Sequence, residues 1–194
     1  MAAEYAQNSS GMSIDLESKY VDDSRYKNFE SNISKCLKAS EQAREWADLI
    51  SFLARLNKGL QAAPEQFTFV PHKHMVSRRL AQCLNASLPA GVHLKTIEVY
   101  QIIFHRIGPM QLRKDLYLYT MGLFPLFYYA SINVKVGLFD LYEAHFLPLG
   151  EGLVPCLKGL ILAVLPGLEE GSCWSVGSRA IDPLLLGQCC WCRA

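Results

Sequence analysis

From Ser24 onward, apolar residues recur along this chain at intervals of three and four. Phe29, Ile33, Cys36 and Leu37 line one face of a first helix. Trp46, Leu49, Ile50, Leu53, Leu56 and Leu60 do the same for a second helix, expected to start near Glu41, with Arg44, Asp48, Arg55 and Lys58 mostly turned outward. Gly59 and then Ala62-Ala63-Pro64 end it. Phe67, Phe69 and Val70 alternate in a short extended connector before Pro71, and a third helix follows from about His72 to Leu84, with Met75, Val76, Leu80 and Leu84 on one side.

Beyond the Leu88-Pro89-Ala90-Gly91 loop, the next helix is apolar on most sides (Val92, Leu94, Ile97, Val99, Tyr100, Ile102, Ile103, Phe104), as expected of one packed between neighbours. Gly108-Pro109 is expected to stop it. Three more helical runs follow: Met110 to about Ala130 with a kink at Pro125, Val134 to about Phe146, and Gly152 to about Leu165. Turns at Leu147-Pro148-Leu149-Gly150 and Pro166-Gly167 separate or end them. Apart from the Phe67–Val70 connector, no run alternates as a half-buried strand requires.

The fold class read from this pattern is all-α: about seven helices in antiparallel hairpins. A succession of hairpins suggests a fragment of a HEAT- or armadillo-like α-solenoid. The L-P-x-G turn recurs at Leu88 and Leu147 without a fixed period, so a globular bundle stays open as the alternative. Residues 1–19 are polar and aperiodic and are expected to be disordered; residues 20–171 form the helical domain; residues 172–194 form a disordered, Cys-rich tail.

Composition adds a bias toward contact surface. Hydrophobic residues make up 51% of the chain and charged residues 19%, below the ~25% usual for soluble domains. The formal net charge of +1 selects neither nucleic acid nor anionic lipid. The first residues are acidic and lack an apolar core, which excludes a signal peptide there and points to the cytoplasm; the N-x-S sequons at Asn8, Asn32 and Asn85 then read as chance matches. From Leu116 to Val134 there is no charged residue. Tyr117, Tyr119, Tyr128 and Tyr129 inside that stretch, with Gly122 and Pro125, favour a buried helix and a turn over a transmembrane span.

Candidate chemistry is sparse. No phosphate-binding, dinucleotide-binding, nucleophile-elbow or H-E-x-x-H motif occurs. Among the five histidines, His72 and His74 point in nearly opposite directions if helical, His105 precedes Arg106 at a helix end, and His93 and His145 stand alone. Asp140 and Glu143 are three apart and could pair; a solvated helix face is the commoner cause. Asp22-Asp23 reads as helix N-terminal charge. Lys73, Arg78 and Arg79 with His72 and His74 form a short basic patch, smaller than a lipid-binding cluster. Cys36, Cys83 and Cys156 read as small buried thiols. Cys173, Cys189, Cys190 and Cys192 have neither zinc spacing nor a prenylation terminus, since Trp191 occupies the fourth position from the end; acylation of the adjacent cysteines stays conceivable. No residue is assigned a catalytic, cofactor-binding or metal role, and no enzyme activity is expected.

The stretches YKNFESNISKCL, EWADLISFLARLNKGLQ, RRLAQCLNASLPAGVHLKTIEVYQIIF and the run from Arg106 to Ser172, with the turns LPAGVHLK, RIGP and LPGLEEGS, resemble the N-terminal region of the Dopey family. The resemblance covers about Tyr20 to Ser172. It implies a non-enzymatic scaffold in protein transport between the trans-Golgi network and endosomes, peripheral on those membranes, acting with a Mon2-type partner. Kinesin-linked cargo transport and phosphoinositide binding are also attributed to the family. CWSVGSRAIDPLLLGQCCWCRA does not resemble the family, so the sequence reads as an N-terminal fragment that runs into non-native residues. Two alternatives follow: an inert or unstable product whose last helix exposes Leu153, Leu157, Leu160, Ile161 and Leu165, or an enzyme with a dispersed site around Asp140, Glu143 and His145.

Overall fold

The computed structural model describes residues 17–169, except Gln42 and Arg44 and the side chains of residues 166–169. The expected N-terminal segment and Cys-rich tail therefore lie largely or wholly outside the described residues. Within them the chain is helical, with no strand. The α-helices are α1 (Ser24–Ser40), α2 (Trp46–Ala62), α3 (Lys73–Cys83), α4 (Ala90–Tyr129), α5 (Ile132–Leu141) and α6 (Leu157–Glu169); a π-helical turn (Tyr142–Phe146) and a 3-10 stretch (Leu147–Cys156) join the last two.

The helix starts follow local chemistry. The Asp23 carboxylate accepts a hydrogen bond from the Arg25 amide at 2.8 Å and caps α1. The second helix begins at Trp46 rather than near Glu41, where Asp48 accepts from the Glu45 amide at 3.2 Å. Trp46 then faces solvent instead of joining the expected apolar stripe, while Phe52, Leu53, Leu56 and Leu60 carry the core. Met75 is likewise exposed. His72 sits just outside α3 with a left-handed backbone, φ 53° and ψ 35°.

The structure differs from the expected seven helices at Gly108. Residues 90–129 form one kinked helical element with no loop inside it, so six α-helical elements are present among the described residues. Gly108 nonetheless has φ 68° and ψ 172°, open to glycine but not to bulkier residues. A straight helix would place Tyr100 and Tyr119 roughly 28 Å apart at 1.5 Å per residue. Their rings are 6.2 Å apart, and Phe104 and Tyr119 are at 5.5 Å. The two halves of α4 therefore fold back on each other, with no loop between them. Pro109 opens the second half, where its missing N–H costs nothing.

This folded α4 is the spine of the core. Its first half packs Val92, Ile97, Val99, Tyr100, Ile103 and Phe104, and its second half Leu112, Leu116, Tyr119, Leu123, Leu126 and Phe127. Against one side lies a cluster of rings centred on the fully buried Phe67: Tyr20 at 5.1 Å, Tyr26 at 5.8 Å and Phe29 at 6.1 Å. The connector between α2 and α3, read from the alternation only as an extended link, is thus a core element with Phe67, Phe69 and Val70 all buried. Against the other side, α3 lies beside the second half of α4: Lys73 reaches Asp115, and Ala81 meets Gly122 so closely that a Cβ on Gly122 would stand 2.8 Å from the Ala81 Cα.

One helical run, residues 132–165, is long and apolar enough to cross a membrane by length and composition. It is broken inside by the π turn, the 3-10 stretch and Gly150, with φ 52° and ψ −123°. Residues 116–134, screened for a span in the sequence, instead bury Leu116, Tyr119, Leu123, Leu126, Phe127 and Val134.

Candidate functional site

The most elaborate polar arrangement is built on Arg106. Its Nη1 donates to the carbonyls of Pro64 at 2.9 Å and Phe67 at 3.0 Å; its Nη2 donates to those of Leu60 at 2.5 Å and Ala63 at 3.0 Å. The last carbonyls of any helix lack intrahelical partners, and a cation suits that end of the dipole. Arg106, from the middle of α4, supplies the cap that α2 cannot make locally. Its guanidinium also lies 5.7 Å above the Phe29 ring, tying the clamp to the aromatic cluster. No sequence signal marked this role: the partners are backbone atoms about forty residues away.

Beside the clamp opens a cleft of about 670 Å³ lined by Gln61, Glu65, Gln101, His105, Arg106 and His145, with Ala63 and Ile102 between them. Burial lowers the His145 pKa, and nearby His105 adds to the effect. The cleft therefore holds a neutral imidazole against the Phe104 ring at 5.6 Å. Asp140 and Glu143 do not line it; both are exposed. The dispersed site imagined around Asp140, Glu143 and His145 is not brought together, and Arg106 gives both Nη groups to backbone carbonyls while its buried Nε has no hydrogen-bond partner among the described residues.

The other histidines part company. His72 meets Glu30 at 3.7 Å on the surface. His93 is buried, its Nε2 2.9 Å from the Asn85 carbonyl oxygen and its ring 6.3 Å from Tyr129. His74 and His105 face solvent. Among the described residues, no group of three or more His, Cys, Asp or Glu side chains converges as metal ligands do.

The basic patch is also dispersed. Lys73 turns inward to Asp115 at 2.8 Å, where Gln111 also donates to the carboxylate at 3.0 Å. Arg79 donates to Gln82 at 2.9 Å and approaches Glu41. Arg78 and His74 remain on the outer face of α3. The thiols behave as core groups: burial pushes Cys83 up to about 12 and raises half-buried Cys36 and Cys156.

The described residues also present exposed apolar side chains. Met110, Tyr117, Met121 and Tyr128 are exposed on α4, and Val154, Ile161, Leu162 and Leu165 on or just before α6. Of the residues expected to line the exposed face of the last helix, Leu153 and Leu160 are buried and Leu157 is half-buried.

The described residues form an all-helical domain with structural polar groups and a partly apolar exterior. Comparison narrows the class: the chain matches the family described as Dopey, N-terminal, over residues 23–176, and it belongs to that family. It is 49% identical to the mouse protein DOP1B over 156 residues (80% of this chain, 7% of that protein). It is 42% identical to the Drosophila melanogaster DOP1 homolog over 155 residues (80% and 6%), and 38% identical to the Saccharomyces cerevisiae protein DOP1 over 166 residues (83% and 10%). The chain thus spans a tenth or less of the length of these relatives. No solved structure matches it.

Proposed function

We propose that this chain is a non-enzymatic scaffold or adaptor unit in vesicle-mediated protein transport between the trans-Golgi network and endosomes. In this reading it works in the cytoplasm, peripheral on Golgi and endosome membranes, with no segment of its own crossing them, and contacts a protein of the Mon2 type. The observation that carries it is membership in the Dopey N-terminal family across residues 23–176. The exposed apolar residues of α4 and α6 support it as the kind of surface a scaffold needs. We take residues 20–171 as the folding unit and its hairpins as part of a HEAT- or armadillo-like solenoid. The fold-back of α4 on itself and the side-by-side packing of α3 with it favour that arrangement.

The test is recovery of a Mon2-type protein on the immobilised full chain, with parallel imaging of the tagged chain in cells. Co-purification with enrichment at Golgi and endosome membranes is expected. Failure to recover that protein, together with diffuse cytoplasmic signal, overturns the reading. A second reading, favoured by the uncovered Ile161, Leu162 and Leu165, is a product of low stability without activity of its own; a short half-life in cells beside a broad thermal transition would mark it.

A further inference from the structure

We propose that the outer ridge of the second half of α4 is a docking surface for an amphipathic helix with acidic flanks, presented by a partner protein. At 100° per residue, Met110, Tyr117, Met121 and Tyr128 fall within about 40° of one another around the helix. They lie opposite the buried Leu112, Leu116, Tyr119, Leu123 and Leu126. Their exposures are 74%, 80%, 62% and 71%. Single exposed apolar side chains are ordinary, but four large ones in one line on one helix are not. The line is roughly 27 Å long, eighteen residues at 1.5 Å each, which matches a partner helix of about five turns. Tyr and Met suit such a surface: Tyr gives broad contact with few rotors, and Met adapts to an incoming side chain.

The ridge is held rigidly on both sides. Gly122 lets α3 approach at Ala81, and Gly159 lets α6 approach at Phe124; a Cβ on Gly159 would stand 2.9 Å from the Phe124 ring. Along the α3 border, Arg78 and His74 precede Ala81 by one and two turns and are exposed. Along the α6 border lie exposed Leu162 and Arg113, whose side chain packs on Gly152.

Charge selects the occupant. The second half of α4 has one acid, Asp115, and it is buried against Lys73 and Gln111; α3 has none. Arg78 and Arg113 therefore give the borders a cationic cast, and Glu151 beside Gly152 is the acid at the far edge. A second copy would bring like charges together, whereas a helix with an apolar seam and acidic flanks meets both features.

This inference deepens the scaffold reading by naming the chemistry of a partner, and it rests on that reading only for there being one. The probe is a displayed library of twenty-residue amphipathic helices with randomised flanks. It is selected on the full chain and counter-selected on the Tyr117→Asp/Met121→Asp variant; matching circular-dichroism melts verify that the variant folds. Enriched peptides are expected to carry an apolar seam and net negative flanks, and to bind the variant at least ~10-fold more weakly, as for central interface residues. Arg78→Glu/Arg113→Glu should weaken them too, and lysine-flanked versions should regain binding to that second variant. No enrichment, enrichment without acidic flanks, or peptides indifferent to Tyr117 and Met121 overturns the proposal. So does a homodimer in sedimentation that the variant abolishes, or binding of the ridge to phosphatidylserine vesicles in place of peptides. Undiminished recovery of a Mon2-type protein by the Tyr117→Asp/Met121→Asp variant would remove the ridge as its site and leave the scaffold reading standing.

Discussion

Around Phe67, aromatic rings and one guanidinium bury the central ring completely, whereas from Ile132 to Leu165 the chain changes helix type three times and leaves Val154, Ile161 and Leu162 in solvent. The first region is completed from within. Tyr20, Tyr26, Phe29 and Phe69 fill the space round Phe67, and Arg106 satisfies the carbonyls that the end of α2 leaves open. The second region lacks such closure: Gly150, Pro148 and Pro155 interrupt its helical bonding, and among residues 157–165 of its last helix Leu160 and Ala163 are the buried ones.

Phe67→Ala should have the largest effect. It removes a fully buried ring touching four others, and a loss of about 3–5 kcal/mol is expected by chemical denaturation. Arg106→Met follows, at about 2–4 kcal/mol, because several buried carbonyls lose a charged donor at once. Arg106→Lys should recover only part of this, since an ammonium cannot span four acceptors held in that fork. Gly122→Ala is expected to cost about 1–3 kcal/mol, because the new methyl meets the Ala81 backbone. Tyr117→Ser should stay within ~0.5 kcal/mol of the parent, as an exposed site does. If Tyr117→Ser costs as much as Phe67→Ala, Tyr117 is a core position and not part of an outer ridge; if Val154→Ser does, the contrast between the closed and open regions collapses.

Acidification sharpens the same contrast near the cleft. The folded pKa of His145 lies below its unfolded value, so the unfolded chain binds the proton more readily. That contribution to stability is complete above the unfolded pKa and declines as pH falls through it. His145→Gln should flatten this part of the stability-against-pH curve.

Much of the helical order was legible in the sequence, because spacings of three and four mark buried faces directly. Phe52 aside, the stripe of α2 was read from Leu53, Leu56 and Leu60, and the connector from Phe67, Phe69 and Val70. Trp46 was misplaced because periodicity does not show where the helix begins; the Glu45–Asp48 contact moves the start and leaves the indole in water. The fold-back at Gly108 was marked by Gly108-Pro109, but not its lack of a loop. The Arg106 clamp was illegible, since its acceptors are carbonyls that every residue carries. The ridge on α4 was hidden for the opposite reason: Tyr117, Met121 and Tyr128 sit in a stretch so apolar that the outward residues cannot be told from the inward ones by composition.

Amide hydrogen exchange along the intact chain tests the contrast most directly. The account predicts that Phe52–Leu60 and Val99–Phe104 exchange only with global unfolding, while residues 157–165 exchange through local opening at lower free energy. Equal protection in the two regions would contradict it.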